Sequence, residues 1–266
     1  MPTADKHPAF VTALARGLEV LRCFTPEQPE LGTTEIARMT GLPQPTVWRL
    51  CFTLTQGGYL LPGRVPDRLR VGPAVLTLGH AAAVHAGIGE AALPLMQALA
   101  DEFGASVSLG ERDRLSMVIV QRAEAADILK VNLHVGSTLP LVRSSMGWAY
   151  LCALPDAERA AALAELKAAH KSGWAEVQAD LDTALHDYRR LGLVFNLGRS
   201  HRDINAIGVP VLPPRGGRTM ALTCGGARSA FGRDLLARRV APALKALAAQ
   251  IAPLVTAGNA LLRAGR

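Results

Sequence analysis

A chain of 266 residues, 49% hydrophobic and 19% charged, has the apolar mass for folded cores and excludes general disorder; two domains are expected. Its formal charge of +7 favours an anionic partner, and the cations gather where acids are sparse: five arginines lie between Arg38 and Arg70 against one acid, Asp67. Cys23, Cys51, Cys152 and Cys224 are too dispersed for a disulfide framework or a metal site, and the opening MPTADKHPAF lacks a signal-peptide pattern, so a cytoplasmic protein without metal or cofactor is expected.

Residues 1–13 read as a loose tail. Leu14 to Phe24 is predicted helical, with Leu14, Leu18 and Leu21 on one face, and a polar loop follows over Thr25–Glu30. Thr33 to Tyr59 reads as two short helices joined by a tight turn. Thr33 is the expected cap, and Glu35 sits in the first turn, where the helix dipole favours a carboxylate. Gly41-Leu42-Pro43 breaks the helix. The second begins near Gln44, with Pro45 in its first turn, where no amide donor is missed. Val47, Leu50, Cys51 and Leu54 recur as one buried stripe. Pro45, Arg49, Phe52 and Gln56 are left outward, with Thr46 and Trp48 at the borders. An exposed helix presenting Gln, Thr, Trp and Arg suits a DNA major groove. There Arg and Gln bond bidentately to guanine and adenine, and apolar groups meet thymine methyls. The plainer alternative is an ordinary helical hairpin.

After Gly57-Gly58, the runs Tyr59–Leu61 and Arg68–Gly72 flank a Pro/Gly/Asp turn and read as a β-hairpin. A hairpin in this place is a wing, and its Arg64, Arg68 and Arg70 are expected at phosphates or in the minor groove. Val71 to Gly89 carries no charge. Its alanines, glycines and Pro73 argue for a linker helix rather than a membrane span, and such a helix suits pairing with its copy in a dimer.

A second domain is expected from Gly89. Ala91–Phe103 is amphipathic, with Leu95, Leu99 and Phe103 spaced by four. Strand-like runs follow at Ala105–Glu111, Leu115–Arg122 and Ile128–Val135, with Asp113 in the first turn. Met146–Ala153, Pro155–Lys171 and Leu181–Leu191 are helical by pattern. Strands return at Val194–Leu197, Ile207–Leu212 and Met220–Cys224, with a turn at Pro213–Gly217, and Phe231–Leu262 closes the chain as a helix. Two groups of strands with helices between and after them predict an α+β layer on an antiparallel sheet. Ser144-Ser145 lacks a nucleophile elbow, His201-Arg202-Asp203 reads as a loop-ordering group, and no glycine pair carries a phosphate-loop lysine. A convergent base, acid and nucleophile are not found. An enzyme fused to a helical adaptor is therefore the runner-up to a DNA-binding regulator, and an interaction module using Trp48 and Phe52 comes third.

The pieces ARGLEVLRCF (Ala15–Phe24), TTEIARMTGLPQPTVWRL (Thr33–Leu50), GGYL (Gly57–Leu60) and RLRVGPAVLTLG (Arg68–Gly79) resemble, in order and spacing, the winged-helix domain of the IclR family of bacterial transcriptional regulators. PLVRSSMGWAYLCA (Pro140–Ala153), Asp180–Leu197, RDINAIGVPVL (Arg202–Leu212) and Arg218–Gly226 resemble that family's GAF/profilin-like effector-binding domain. The resemblance implies an α+β chain with a winged helix over 14–72, a linker helix over 73–88 and an effector-binding domain over 89–262. It implies double-stranded DNA contacted by Thr33, Gln44, Pro45, Thr46, Trp48, Arg49, Arg64, Arg68 and Arg70. It also implies a small carboxylic or aromatic effector beside Leu139, Leu141, Arg143, Ser145, Met146, Trp148, Asn196, Ala206, Thr223 and Gly225. The backbone amides of Ser145 and Met146, at a helix start, would hold its anionic group. A homodimer on a palindromic site, tending toward pairs of dimers, completes the expectation, with no membrane association. Pro45 departs from the family's usual hydroxyl residue and Trp48 from its usual His or Tyr. In the effector half Met146 and Trp148 are bulky, while Ala206 and Gly225 leave space.

Overall fold

The computed structural model describes residues 7–85, 88–126, 132–170, 173–213 and 218–255. They fall into two compact units, the first ending at Ala82 and the second beginning at Ala83.

The first unit comprises α1 (Thr12–Arg22), β1 (Glu30–Gly32), α2 (Thr33–Thr40), α3 (Gln44–Gln56), β2 (Leu60–Pro62) and β3 (Arg68–Val71); α4 (Ala74–His85) follows. β3 is the central strand, pairing antiparallel with β2 and with β1, so that Leu69 lies opposite both Pro62 and Leu31. β1 comes from the end of the expected polar loop, and the wing is therefore a three-stranded sheet. Val20, Leu31, Ile36, Val47 and Leu60 fill the core with Cys23 and Cys51. α3 buries Val47 and Cys51 and half-buries Leu50 and Leu54, as its spacing predicts.

Two local expectations are corrected. The cap of α2 is Gly32 rather than Thr33: the Gly32 amide donates to Glu35 Oε2 at 2.8 Å, and the third-position carboxylate does the capping. α1 packs through Val20 and Cys23, while Leu14 and Leu18 are 63% and 52% exposed. Gly17 is the point of approach to Leu50 of α3; Leu14 and Leu18 line an open groove of about 460 Å³ between α1 and α3, while Leu21 packs against the core as expected.

The second unit holds α5 (Ile88–Phe103), β4 (Ser106–Asp113), β5 (Ser116–Glu124), β6 (Thr138–Pro140), α6 (Ser145–Ala153), α7 (Asp156–Ala169), α8 (Trp174–Leu191), β7 (Val194–Leu197), β8 (Ile204–Val211), β9 (Met220–Ala227), α9 (Arg233–Leu235) and α10 (Ala241–Ile251). Its antiparallel sheet has the order β6-β5-β4-β9-β8-β7, so the last strand in sequence sits beside the first. One face is covered by α5 and α10 over Val107, Leu109, Ile207, Val209 and Leu222. The other is covered by α6, α7 and α8 over Met117, Ile119, Val194 and Ala221. A bulge interrupts the β4–β5 register: Leu109 opposes Gln121 and Gly110 opposes Ile119, leaving Val120 as the extra residue.

Asp113 is the last residue of β4, paired with Ser116, rather than a turn residue. α5 buries Ala92, Met96, Leu99 and Ala100, and leaves the expected Leu95 partly exposed. Of the strand expected at Ile128–Val135, residues 128–131 lie outside the described residues and 132–135 are not strand; the edge strand is Thr138–Pro140. The closing helix is broken by a π turn at Leu236–Val240 ahead of Pro242, where the proline cannot donate into the ladder. Residues 1–6 of the expected tail, 86 and 87 of the expected linker, 214–217 of the expected turn and 256–262 of the expected final helix lie outside the described residues. All four cysteines are buried and free. Among the described residues, no helix is long and apolar enough to cross a membrane.

Candidate functional site

The first candidate surface is α3. Its first turn starts directly after the Gly41 turn, whose left-handed backbone (φ 70) glycine adopts without strain, and Pro43 and Pro45 stiffen the entry. Trp48 and Phe52 stack at 5.6 Å between ring centroids with 16° between planes, yet are 58% and 54% exposed. An apolar plate of that size standing in water is where a partner is expected. The predicted DNA residues Gln44, Thr46, Trp48 and Arg49 divide into two rows, which Phe52 and Thr53 extend. Gln44, Trp48 and Phe52 face a groove of about 720 Å³ shared with Thr33 and the wing residues Pro66 to Leu69. Thr46, Arg49 and Thr53 face the α1 groove. Gln44 Nε2 donates to Thr34 Oγ1 at 3.1 Å, which fixes its direction while leaving its carbonyl oxygen open. Pro45 is exposed; Thr33 is half-buried in the first turn of α2.

The wing arginines differ from one another. Arg68 is engaged inside the unit: Nη1 donates to the Glu30 carbonyl at 2.7 Å and Nη2 to Glu35 Oε1 at 3.2 Å. Arg64 uses its backbone amide on the Glu30 carboxylate at 3.0 Å and, like Arg70, makes no described guanidinium contact. Both line an open dish that also holds Glu27, Glu30 and Glu35. The amide of Gly32, and then the Arg68 and Arg38 charges, hold the Glu35 carboxyl below the usual carboxylate range against its desolvation.

The second candidate surface is the α6 face of the sheet. Register puts Gly110, Ser108 and Ser106 of β4 on it, opposite Ala221, Thr223 and Gly225 of β9, which in turn face Pro210, Gly208 and Ala206 of β8. α6 seats on the first of these rows and the β8 end of the second: a Cβ at Gly110 would overlap Met146 Sδ, and one at Gly208 would overlap the Ser145 carbonyl. These glycines are the space α6 occupies. Beyond its first turn the same face continues as Ser106, Ser108, Thr223, Gly225 and Ala206, a run of small side chains referred to below as the hollow. A Cβ on Gly225 would meet the Ala206 Cβ at 2.8 Å, so the hollow is shallow there.

The turn into α6 is tightly held. Ser144 caps the helix, accepting from the Gly147 amide at 3.0 Å and donating to the Pro140 carbonyl at 2.8 Å, which occupies its hydroxyl. The amides of Ser145 and Met146 have no acceptor among the described residues, nor does the Ser145 hydroxyl find a partner there. These three donors stand at the positive end of a helix. Asn196 joins the turn from the far side: Nδ2 donates to the Arg143 carbonyl at 2.8 Å, and Oδ1 accepts from Arg199 and Ser200 at 3.1 and 3.0 Å. Both ends of that amide are taken, so Asn196 positions the turn. Arg143 is exposed and its guanidinium makes no described contact. Trp148 is buried and donates to the Val142 carbonyl at 2.8 Å; Leu141 is fully buried behind Gly147, and Leu139 pairs with Met117 on the same face.

Sequence reasoning missed Arg122. Its side chain is 8% exposed and its Nη1 donates to Ser108 Oγ at 2.7 Å, at the edge of the hollow. Strict alternation from Met117 and Ile119 assigns it to the opposite face; the Val120 bulge reverses that. Among the described residues no group of three His, Cys, Asp or Glu is arranged to hold a metal. His201, Arg202 and Asp203 form an exposed loop cluster, with Asp203 N 3.3 Å from His201 Nδ1.

Comparison with known proteins adds the following. Residues 80–253 match the family described as bacterial transcriptional regulator IclR C-terminal, and residues 13–62 match the IclR helix-turn-helix domain. The chain is 31% identical over 249 residues to the HTH-type transcriptional regulator TsaQ1/TsaQ2 of Comamonas testosteroni, covering 93% of this chain and 89% of that one. An IclR family transcriptional regulator from Brucella abortus has a similar structure, with a TM-score of 0.88 and 39% identity, over 94% of this chain and 95% of its own. An IclR homolog from Microbacterium hydrocarbonoxydans, solved with 4-hydroxybenzoate, shares the fold at a TM-score of 0.68 and 20% identity, over 92% of this chain and 100% of its own.

Proposed function

The chain belongs to the IclR family of bacterial transcriptional regulators, DNA-binding proteins rather than enzymes, and on that premise we propose how it reads DNA and what it senses. Two copies bind a palindromic site in the cytoplasm, each placing the N-terminal turns of α3 in a major groove. The observation that carries this is the outward face of α3: a stacked, exposed Trp48–Phe52 plate beside the uncommitted Arg49 guanidinium and the oriented Gln44 amide. Arg49 reads a guanine and Gln44 an adenine, while the aromatic plate meets thymine methyls. Arg64 and Arg70 lie on phosphates, while Arg68 holds the wing in place. Thr33, Pro45 and Thr46 line the approach.

One such unit is too small for tight specific binding alone, which supports a homodimer. The exposed Leu76 and Leu78 of α4, and the outward leucines of α1, are the surfaces it would use. Pairing of dimers extends the same reading.

The effector is a small organic acid, aromatic in part, lying in the Ser106–Ala206 hollow with an oxygen-bearing end on the Ser145 and Met146 amides. The three donors at the start of α6, which meet no acceptor among the described residues, support this, as does 4-hydroxybenzoate in a family member of the same fold. Leu139, Leu141, Met146 and Trp148 bound the apolar side, Thr223, Ala206 and Gly225 form the floor, and Arg143 and Asn196 frame the mouth. The effector acts only if it binds the two arrangements of the α3 helices with different affinity.

The experiment is capture and sequencing of genomic fragments by the purified chain over a salt series, with and without a panel of small acids. Palindromic sites lost or gained with one acid are expected. Retention that ignores ionic strength and sequence would refute the reading.

A further inference from the structure

The hollow ends in a charged pair that the effector reading leaves unused. Arg122 Nε and Nη2 donate to Glu124 Oε1 at 3.0 and 2.5 Å, while Nη1 goes to Ser108. Both guanidinium donors converge on one oxygen, whereas the fork of an arginine fits the two oxygens of a carboxylate. The poor fit has a geometric cause. Arg122 and Glu124 are same-face neighbours along one strand, about 7 Å apart at the backbone, so the glutamate must fold back to reach its partner. Glu124 is also the more accessible member, 34% exposed against 8% for Arg122. It stands between the guanidinium and solvent, in the row that continues through Ser106, Gly225 and Ala206.

We propose that the Arg122–Glu124 pair is a displaceable latch, in which a carboxylate at the end of the effector remote from α6 takes the place of Glu124 on Arg122. This rests on reading the Ser106–Ala206 hollow as the effector site. Ser108, 4% exposed, holds the guanidinium still while its carboxylate partner changes. No atom is transferred and the charge count is conserved: one carboxylate leaves and another arrives.

The latch has a mechanical connection. The Glu124 carbonyl accepts from Gln97 Nε2 at 2.8 Å, and the Ala125 amide donates to the Ala105 carbonyl at 3.0 Å, so this end of β5 is stitched to α5 and to the residues that follow it. Release of the Glu124 side chain loosens the strand end that Gln97 grips. Binding is therefore reported to α5 through the internal carboxylate that the effector expels. The closed latch also lowers apparent affinity by the fraction of time it is open.

The test uses the full chain and four probes: benzoate, 4-hydroxybenzoate and their neutral amides, benzamide and 4-hydroxybenzamide. Calorimetric titration and thermal shift read binding. At least one acid is expected to bind in preference to its amide. Glu124→Gln should bind that acid at least about tenfold tighter, because the competitor is gone. Arg122→Gln should erase the difference between acid and amide. A gain of affinity in Glu124→Gln is not produced by misfolding, which keeps the proposal open to refutation even if Arg122→Gln folds poorly. Equal or weaker acid binding by Glu124→Gln overturns the latch, as does the absence of any acid response in both chains. Ala206→Trp separates the two layers of the argument. Acid binding lost in Ala206→Trp but unchanged in both latch variants keeps the hollow and discards the latch; binding indifferent to all three discards both.

Discussion

Arg68 and Arg70 sit two residues apart on one strand, and the structure assigns them opposite work. Arg68→Ala removes a hydrogen bond from a charged donor to the Glu30 carbonyl at 2.7 Å, and with it the tie between β3 and β1 across the wing. Bonds to charged groups contribute about 1.5–3 kcal/mol when sheltered. The Arg68 side chain is 38% exposed, so about 1 kcal/mol is the reasonable figure. That corresponds to roughly fivefold faster opening of the wing sheet. Native-state amide hydrogen exchange is the assay, read at Gly63, whose amide donates to the Arg68 carbonyl at 2.7 Å. Arg70→Ala, with no described guanidinium contact to lose, should leave that exchange unchanged. It should instead lower the salt slope of DNA binding by about one unit. Arg68→Ala should weaken DNA binding by loosening the wing, at nearly constant slope. If the two variants lowered the slope equally and neither changed exchange at Gly63, the division of labour would be wrong.

Trp48→Ala should leave thermal stability within about 0.5 kcal/mol, since the ring is exposed, while binding-site selection loses its preference at one or two base pairs, each worth about 1–3 kcal/mol; an unchanged selected site would place the plate outside the groove. Glu35 has a folded-state carboxyl below its ordinary value, so its contribution is complete above the unfolded carboxylate range near 4.3 and is lost as pH falls through the lower, folded value. Wing exchange protection should accordingly decline below about pH 4 in the parent and much less in Glu35→Gln. Burial pushes the Cys51 thiol up to about 11 and those of Cys152 and Cys224 up to about 12, so iodoacetamide at pH 8 should label none of the three until denaturant is added, as mass spectrometry of the intact chain would show.

The DNA-reading half was largely legible because its signals are local. The Gly41 turn, the prolines entering α3 and the Val47–Cys51 stripe each constrain their own neighbourhood. What was illegible required knowing what packs where. Leu14 and Leu18 form a sound apolar stripe, but periodicity does not say what lies opposite it, and α1 chose its Val20 side. Gly32 displaced Thr33 as cap because Glu35, three residues on, supplies the oxygen. In the second unit the return strands showed themselves by unbroken apolar runs, while β6 is three residues long and below the reach of any alternation test. Polar effector-side residues looked like ligands one by one; only the fold reveals that Asn196 has spent both ends of its amide on the turn, whereas the Ser145 amide and hydroxyl find no acceptor among the described residues.

Val120 carries a consequence out of proportion to its bulk. Because it is the supernumerary residue of β5, everything downstream on that strand owes its orientation to it. Pressing it into the regular ladder, so that it opposes Leu109, would swing Arg122 into the apolar layer beneath α5 and aim Gln121 and Ala123 at the hollow instead, whereas deleting it would leave Arg122 opposite Ser108. Point substitutions in the hollow retune such a receptor by degrees, whereas a one-residue slip at this bulge would exchange its lining in one step.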